Sequence, residues 1–173
     1  RPKGILLVGI PGTGKSLASK ATASILGWPL IRLDLSALKN SLVGESERRM
    51  REATRVIDAF GHAVIWMDEA EKAFAGSRSS GDTDGGTTAG MFGHFLTWMA
   101  ETTASVLVMA TANDISKLPP EFMRAGRFDA TFFVDIPGAE ERGQIIEIMN
   151  RKWQSDIPVE YTDRLNGYTG AEI

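Results

Sequence analysis

The chain has 173 residues, of which 43% are hydrophobic and 24% charged, and this suits one globular domain with its own core. The net charge of −3 argues against a general attraction to nucleic acid. No apolar run approaches the roughly 18 residues that cross a bilayer. The absence of cysteine excludes disulfides and thiolate metal sites, and it agrees with a reducing compartment.

The N-terminal stretch predicts a strand, a tight loop and a helix. An apolar run over Ile5–Val8 leads into Gly9–Ser16, which fits the pattern G-x-x-x-x-G-K-[ST]. Glycines in such a loop let successive N–H groups point inward, and the helix start adds positive partial charge. We therefore expect Lys15 to reach the β- and γ-phosphates of a nucleotide and the Ser16 hydroxyl to bind Mg²⁺. An ordinary glycine-rich turn is the alternative.

Farther along the chain, strands and helices continue to alternate, which is typical of a mostly parallel sheet covered on both faces. The first helix is expected to end near Leu26, before Gly27. A stretch rich in Gly, Ser and Asp over 76–87 predicts a mobile loop. The remaining predicted strands are Leu30–Leu35, Ala63–Met67, Ser105–Ala110 and Ala130–Val134, and the remaining helical patterns are Glu45–Phe60, Thr88–Glu101, Ala139–Trp153, Val159–Leu165 and a start at Thr169.

Polar residues follow two of these strands, at the sheet edge where an open α/β fold holds its ligand. Asp68 is placed to hold Mg²⁺ through water, and Glu69 to orient and deprotonate the water that attacks the γ-phosphate. An acidic pair at a helix N-terminus is the alternative. Asn113 follows the fourth strand and could help to fix the attacking water, although the residues alone favour a simple turn.

Two arginines, Arg124 and Arg127, stand three apart just before the fifth strand. A surface salt bridge is one interpretation. The other is an arginine finger, which is a guanidinium offered to the γ-phosphate held by a neighbouring subunit. A finger that acts in trans requires a head-to-tail interface, and such an interface generates a ring or a helix of subunits.

Four stretches, GIPGTGKS, IWMDEAEKAF, ATAND and LPPEFMRAGRFD, resemble the AAA family of ATPases in their order and spacing. The resemblance covers almost the whole chain. It implies a five-stranded core of strand order 5-1-4-3-2 over residues 1–136 and the beginning of a small helical lid over 137–173. It also implies assembly into a ring, usually a hexamer, that remodels macromolecules.

The resemblance also assigns residues. It matches Asn113 to the family's first sensor and Arg124 with Arg127 to its finger pair, while Thr169–Glu172 resembles the lid turn that contacts the nucleotide. ATP is expected to bind at Pro11, Gly12, Thr13, Gly14, Lys15, Ser16, Leu17, Gly170 and Ala171. Mg²⁺ is expected at Ser16 and Asp68, and catalysis is expected to use Glu69, Asn113, Arg124 and Arg127.

The chain departs from the family pattern in two places. Leu42 stands where members that thread polypeptide usually carry a pore-loop aromatic, and leucine offers less contact area and no π face. The segment Thr88–Met91 lacks the arginine that many relatives place after the second pore loop. In both respects the chain is most similar to the poorly understood AAA ATPases of cyanobacteria and plastids, so the reducing compartment would be the cytoplasm or the plastid stroma. The upstream segment that normally cradles adenine has no counterpart in this sequence, and selectivity for ATP rests on the resemblance.

The function predicted from the sequence is a Mg²⁺-dependent ATPase module whose ring acts on a protein. A nucleotide-gated scaffold with little turnover is an alternative, but a pure binder needs neither a base nor a finger. A nucleic-acid remodeller is a further alternative, and the acidic charge balance argues against it.

Overall fold

The computed structural model describes residues 2–39, 45–74, 83–124 and 127–173. Within these ranges the chain forms five β-strands and five α-helices joined by 3₁₀ turns and loops. The strands are β1 (Gly4–Val8), β2 (Leu30–Arg32), β3 (His62–Met67), β4 (Ser105–Ala112) and β5 (Ala130–Phe133). The helices are α1 (Lys15–Leu26), α2 (Leu35–Lys39), α3 (Glu45–Phe60), α4 (Thr83–Glu101) and α5 (Ala139–Trp153).

All five strands lie parallel in one sheet of order β2-β3-β4-β1-β5, which confirms the predicted fold class and strand order. In the register, Leu7 lies opposite Thr111 on one side and Phe132 on the other. The middle strand of the sheet is therefore β4, which lies between β1 and β3. Because the loops after these three strands leave from the same edge, their side chains meet there.

The two faces of the sheet bury different amounts of apolar surface. Alternate residues of each strand point to opposite faces, so Leu6 and Ile65 pack beneath α3 and α4, whereas Leu7 and Val64 pack beneath α1. The α3–α4 side holds the larger cluster, in which Phe95 is fully buried. The charged face of α3 carries i,i+4 ion pairs at 3.0–3.3 Å, which are Arg48–Glu52, Arg49–Glu45 and Arg51–Glu47.

Two predicted element boundaries differ most from the structure. The second strand ends at Arg32 and not at Leu35, because Asp34 accepts hydrogen bonds from the N–H groups of Ser36 and Ala37 at 3.0 and 3.1 Å. That side chain caps α2, which begins at Leu35. In the predicted mobile loop, 76–82 lie outside the described residues, but α4 already begins at Thr83. The side chains of α4 that pack into the core lie between Met91 and Met99, within the helix as predicted.

A buried arginine of α5 holds together the segments before and after this helix. Arg142 of α5 is 5% exposed, and it donates from Nε to the Thr162 carbonyl at 2.8 Å and from Nη1 to the Pro137 carbonyl at 2.9 Å. The predicted helical pattern over Val159–Leu165 is a 3₁₀ turn that packs against α5. Within the described ranges, no helix is both long and apolar enough to span a bilayer.

One glycine of the fold has no room for a side chain. A Cβ on Gly9 would lie 2.1 Å from the backbone oxygen of Val134, whereas a Cβ on Gly93 of α4 would meet no atom within 4 Å. We expect Gly9→Ala to destabilise the fold by about 2 kcal/mol, as overpacking does, and to lower the Tm by about 4–8 °C. Gly93→Ala is the matched control and should raise the Tm, since alanine favours a helix by up to about 1 kcal/mol over glycine. Thermal unfolding by circular dichroism measures both changes. A Gly9→Ala variant as stable as the parent would contradict this close approach.

Candidate functional site

The loop between β1 and α1 has the backbone of an anion cradle. Gly12 and Gly14 adopt φ values of 84° and 92°, a left-handed conformation that glycine takes at little cost. Gly14 is the N-cap of α1, and it makes no side-chain capping hydrogen bond. The first N–H groups of the helix therefore face the loop without a capping side chain, in the position where helix N-termini bind anions.

Lys15 brings a buried positive charge to this loop. It is 6% exposed, and its Nζ donates to the carbonyls of Gly9 and Ile10 at 2.7 and 2.6 Å. Burial lowers the pKa of Lys15, and the nearby carboxylates, Glu71 foremost, oppose this shift by favouring the charged form. The ammonium is thus held inside the loop and partly desolvated, where its attraction for an anion is stronger than in water.

Asp68, which follows β3, connects this strand to α1 and to β4. Its Oδ1 accepts hydrogen bonds from Ser16 Oγ at 2.7 Å and from Thr111 Oγ1 at 2.8 Å. The Thr111 hydroxyl in turn accepts the backbone N–H of Glu69 at 2.9 Å. Sequence reasoning missed Thr111, although it stands two residues before Asn113 and alternation places both on one face of the strand. Parallel pairing of β4 between β1 and β3 puts this hydroxyl beside Asp68.

Glu69 follows β3 with a backbone φ of 50°, which is unusual for a residue with a side chain. Its Oε1 accepts a hydrogen bond from Asn113 Nδ2 at 3.3 Å, and its Oε2 pairs with Lys72 Nζ at 2.5 Å. The hydrogen bond to Glu69 raises the pKa of Lys72. Sequence reasoning predicted neither the contact with Asn113 nor the contact with Lys72. Lys72 reaches Glu69 because the chain folds into a short 3₁₀ turn over Ala70–Phe74.

A third carboxylate near the site is Glu71, which sequence reasoning also missed. It is 5% exposed, and its Oε1 accepts the backbone N–H of Asn113 at 2.9 Å. A single glutamate two residues after an acidic pair usually indicates surface charge. The fold buries it against the end of β4, and no feature of the linear sequence distinguishes it.

The turn over Thr169–Glu172 closes one side of the phosphate loop. The Ala171 N–H donates to the Gly12 carbonyl at 3.0 Å, and a Cβ on Gly12 would lie 2.6 Å from Thr169 Oγ1. Glu172 accepts the N–H and hydroxyl of Thr169 at 2.7 and 2.8 Å, and these bonds lower the pKa of Glu172. Gly12 is therefore required both for its left-handed φ and for this close contact.

The phosphate loop, Asp68, Glu69, Thr111 and Asn113 line one cleft of about 600 Å³, a volume within the usual range for small-molecule sites. Three side chains of α5, namely Ile145, Ile148 and Met149, give the cleft an apolar wall. The structure brings together in it all nine residues predicted to bind the nucleotide, along with both predicted metal ligands and two of the four predicted catalytic residues. The nucleotide-binding residues are Pro11, Gly12, Thr13, Gly14, Lys15, Ser16, Leu17, Gly170 and Ala171. The metal ligands are Ser16 and Asp68, and the catalytic residues are Glu69 and Asn113.

The two predicted finger arginines lie outside this cleft. Arg124 is exposed, and Arg127 donates from Nη1 to the Glu121 carbonyl at 2.6 Å. Neither lines the cleft of its own chain. Leu42, the predicted pore-loop position, lies outside the described residues.

The oxygen atoms of Ser16 and Asp68 suit a hard cation. Mg²⁺ prefers oxygen ligands and is usually held by one or two carboxylates together with water and substrate phosphates. In the part of the chain that the structure describes, no group of three or more His, Cys, Asp and Glu side chains is arranged as a metal site. One carboxylate and one hydroxyl beside an anion cradle are the donor set that a phosphate-bridged Mg²⁺ requires.

Comparison with known proteins yields a family and two groups of relatives. A protein of *Pyropia yezoensis* named "Uncharacterized AAA domain-containing protein ycf46" is 48% identical over 99% of this chain and 36% of its own length. A protein of the same name from *Guillardia theta* is 42% identical over 99% of this chain and 35% of its own length. The "ATP-dependent zinc metalloprotease FtsH 4" of *Synechocystis* sp. is 34% identical over 99% of this chain and 28% of its own length.

The chain thus spans about a third of the length of the curated relatives it matches. The resemblance to uncharacterised AAA proteins that the sequence predicted is confirmed. Residues 5–136 match the model of the family described as "ATPase family associated with various cellular activities (AAA)". This match covers the sheet and the motifs that line the cleft, and the chain belongs to the AAA family.

Proposed function

We propose that this chain is a Mg²⁺-dependent ATP-hydrolysing module that assembles into a ring, a hexamer by family resemblance, and remodels a protein client. The observation that carries the proposal is the convergence in one cleft of a buried lysine at a helix N-terminus, a hydroxyl–carboxylate pair and a glutamate held by an asparagine. In this proposal residues 1–136 are the ATPase core, and 137–173 are the beginning of its lid. A reducing compartment such as the cytoplasm or the plastid stroma suits a chain without cysteine.

In this proposal the phosphate loop grips the nucleotide. The N–H groups of the loop and of the first turn of α1 bind phosphate oxygens, and the Lys15 ammonium neutralises their charge. The apolar wall contributed by α5 excludes water from that side of the cleft. Gly170 and Ala171 support the loop from outside, through the hydrogen bond from the Ala171 N–H to the Gly12 carbonyl.

Ser16 would hold the metal ion through its hydroxyl, and Asp68 would hold it through water. Bound Mg²⁺ would neutralise the negative charge of the phosphates. Thr111 keeps the Asp68 carboxylate oriented toward Ser16, because its hydroxyl donates to the same Oδ1 atom that Ser16 contacts.

Glu69 is the general base. Its carboxylate accepts the proton of the attacking water, and Asn113 orients that carboxylate through the bond from Nδ2 to Oε1. The fingers Arg124 and Arg127 act on the cleft of a neighbouring copy, because they lie outside the cleft of their own chain. The acidic balance of the chain favours a protein client over nucleic acid.

A second candidate function is a nucleotide-gated scaffold that turns over little. It is favoured by the ion pair between Glu69 Oε2 and Lys72 Nζ at 2.5 Å. An ammonium that occupies one oxygen of this carboxylate competes with the attacking water for contact with it. The scaffold and the motor share nucleotide binding and differ in turnover.

Nucleotide binding tests both candidates at their common step. We expect Lys15→Ala to weaken Mg²⁺–ATP binding by about thirtyfold or more, since truncating one member of a desolvated charge pair costs about 2–5 kcal/mol. Lys20→Ala is the matched control, because Lys20 is an exposed lysine of the same helix that lies over the Trp66 ring. Isothermal titration calorimetry should give parent affinity for this control. If the parent takes up no adenine nucleotide, the proposed function is wrong.

A further inference from the structure

Glu71 is a buried titratable residue to which the proposed mechanism gives no role. It is 5% exposed, and its Oε1 accepts the backbone N–H of Asn113 at 2.9 Å. Its second oxygen, Oε2, is buried and has no hydrogen-bond partner among the residues that the structure describes. A carboxylate in such surroundings loses hydration that one hydrogen bond does not replace. As a purely structural element, Glu71 is therefore unfavourable.

The connections of Asn113 explain what this carboxylate does. The backbone N–H of Asn113 is bound to Glu71, while its side-chain Nδ2 donates to Glu69 Oε1 at 3.3 Å. Asn113 stands immediately after the last residue of β4, beyond the strand pairing that fixes the chain up to Ala112. The bond from its N–H to Glu71 is what orients the residue there. A displacement of this backbone would move the carboxamide away from Glu69.

We propose that Glu71 is a positioning residue for the ATPase reaction, which fixes Asn113 through its backbone N–H and thereby holds the carboxylate of Glu69. The inference rests on the proposed function, in which Glu69 is the base. The negative charge of Glu71 is balanced by Lys15, whose charged form Glu71 favours more strongly than Asp68 or Glu69 does. The buried charge thus acts both on the Lys15 ammonium and on the backbone of Asn113.

The hydrogen-bond chain can be tested without nucleotide by NMR spectroscopy of the protein. Glu71→Ala should shift the backbone amide resonance of Asn113 and speed its hydrogen exchange, and it should also shift the Asn113 carboxamide resonances. Glu71→Gln keeps an oxygen acceptor at the same reach and should restore most of the amide protection. Glu147→Ala removes an exposed glutamate of α5 and is the control. An Asn113 amide that is unaffected by Glu71→Ala overturns the inference.

The kinetic consequence is tested by a double-mutant cycle at saturating protein concentration. Glu71→Ala should lower kcat by about tenfold or more while the KM for ATP changes little, since misplacing a positioning group by about 1 Å can cost up to a hundredfold. In an Asn113→Ala background, adding Glu71→Ala should lower kcat by less than about twofold, because the carboxamide through which Glu71 acts is absent. The Tm, measured in both backgrounds, separates any change in stability from the change in kcat.

The outcomes separate the two proposals. An equal loss of kcat in both backgrounds means that Glu71 acts on stability alone, and the inference is then wrong. A parent that binds ATP without hydrolysing it overturns the proposed hydrolysis, and the NMR experiment then decides the placement of Asn113 by itself.

Discussion

Glu69→Gln should abolish ATP turnover while leaving ATP binding within about threefold of the parent. Glutamine has the same shape and can still accept the hydrogen bond from Asn113 Nδ2, but it cannot take a proton from water. General bases contribute about 10²–10⁴-fold to rate, so kcat should fall by at least about a hundredfold. Steady-state phosphate release measures kcat, and calorimetry measures binding.

The control for this variant is Glu101→Gln, which neutralises the exposed glutamate at the end of α4, away from the cleft. It should turn over ATP at the parent rate. If Glu69→Gln also hydrolyses at the parent rate, the assignment of the base is wrong. A variant that instead loses nucleotide binding would show that Glu69 supports the cleft and not the chemistry.

Arg124→Ala should lower turnover by about a thousandfold, the effect of removing an arginine finger in related nucleotide hydrolases. Binding of ATP to a single copy should be unchanged, because Arg124 is exposed and does not line the cleft of its own chain. Arg164→Ala is the control, since Arg164 is an exposed arginine that lies over the Tyr161 ring. Turnover of the parent should rise steeply with protein concentration, because assembly brings the finger to the base.

Mixing two inactive variants tests whether the finger acts in trans. Arg124→Ala copies retain an intact cleft, and Lys15→Ala copies retain an intact finger. In an equal random mixture, about one interface in four joins an intact cleft to an intact finger, so a comparable fraction of the parent activity should return. Mixed assemblies that recover no activity would contradict a finger supplied by the neighbouring copy.

Most of the fold follows from local patterns in the sequence. The glycines around Lys15, the apolar run before Asp68 and Gly27 after α1 are local signals, and the structure agrees with each of them. The boundary after β2 was wrong because Asp34 acts as a cap, and an aspartate between apolar residues also suits the end of a strand. The start of α4 was wrong because glycines and an aspartate before Thr88 suit a loop, and the structure nonetheless begins the helix at Thr83.

The candidate site was predictable where a motif is contiguous in sequence and unpredictable where it is assembled by the sheet. The phosphate loop and the Asp68–Glu69 pair are contiguous. Thr111 and Glu71 act across strands, and their partners lie 42 or 43 residues away. Only the order of the strands brings these residues to their partners, and that order came from resemblance to a family and not from periodicity.

The backbone conformation of Glu69 lowers the stability of the folded state. A left-handed conformation at a residue with a Cβ costs about 1–3 kcal/mol, which is a sizeable share of the 5–15 kcal/mol that stabilises a typical domain. The Thr111 hydroxyl holds this conformation by accepting the Glu69 N–H, and a glycine would adopt it freely. The chain keeps a glutamate there, so activity and thermostability make opposing demands on this one position.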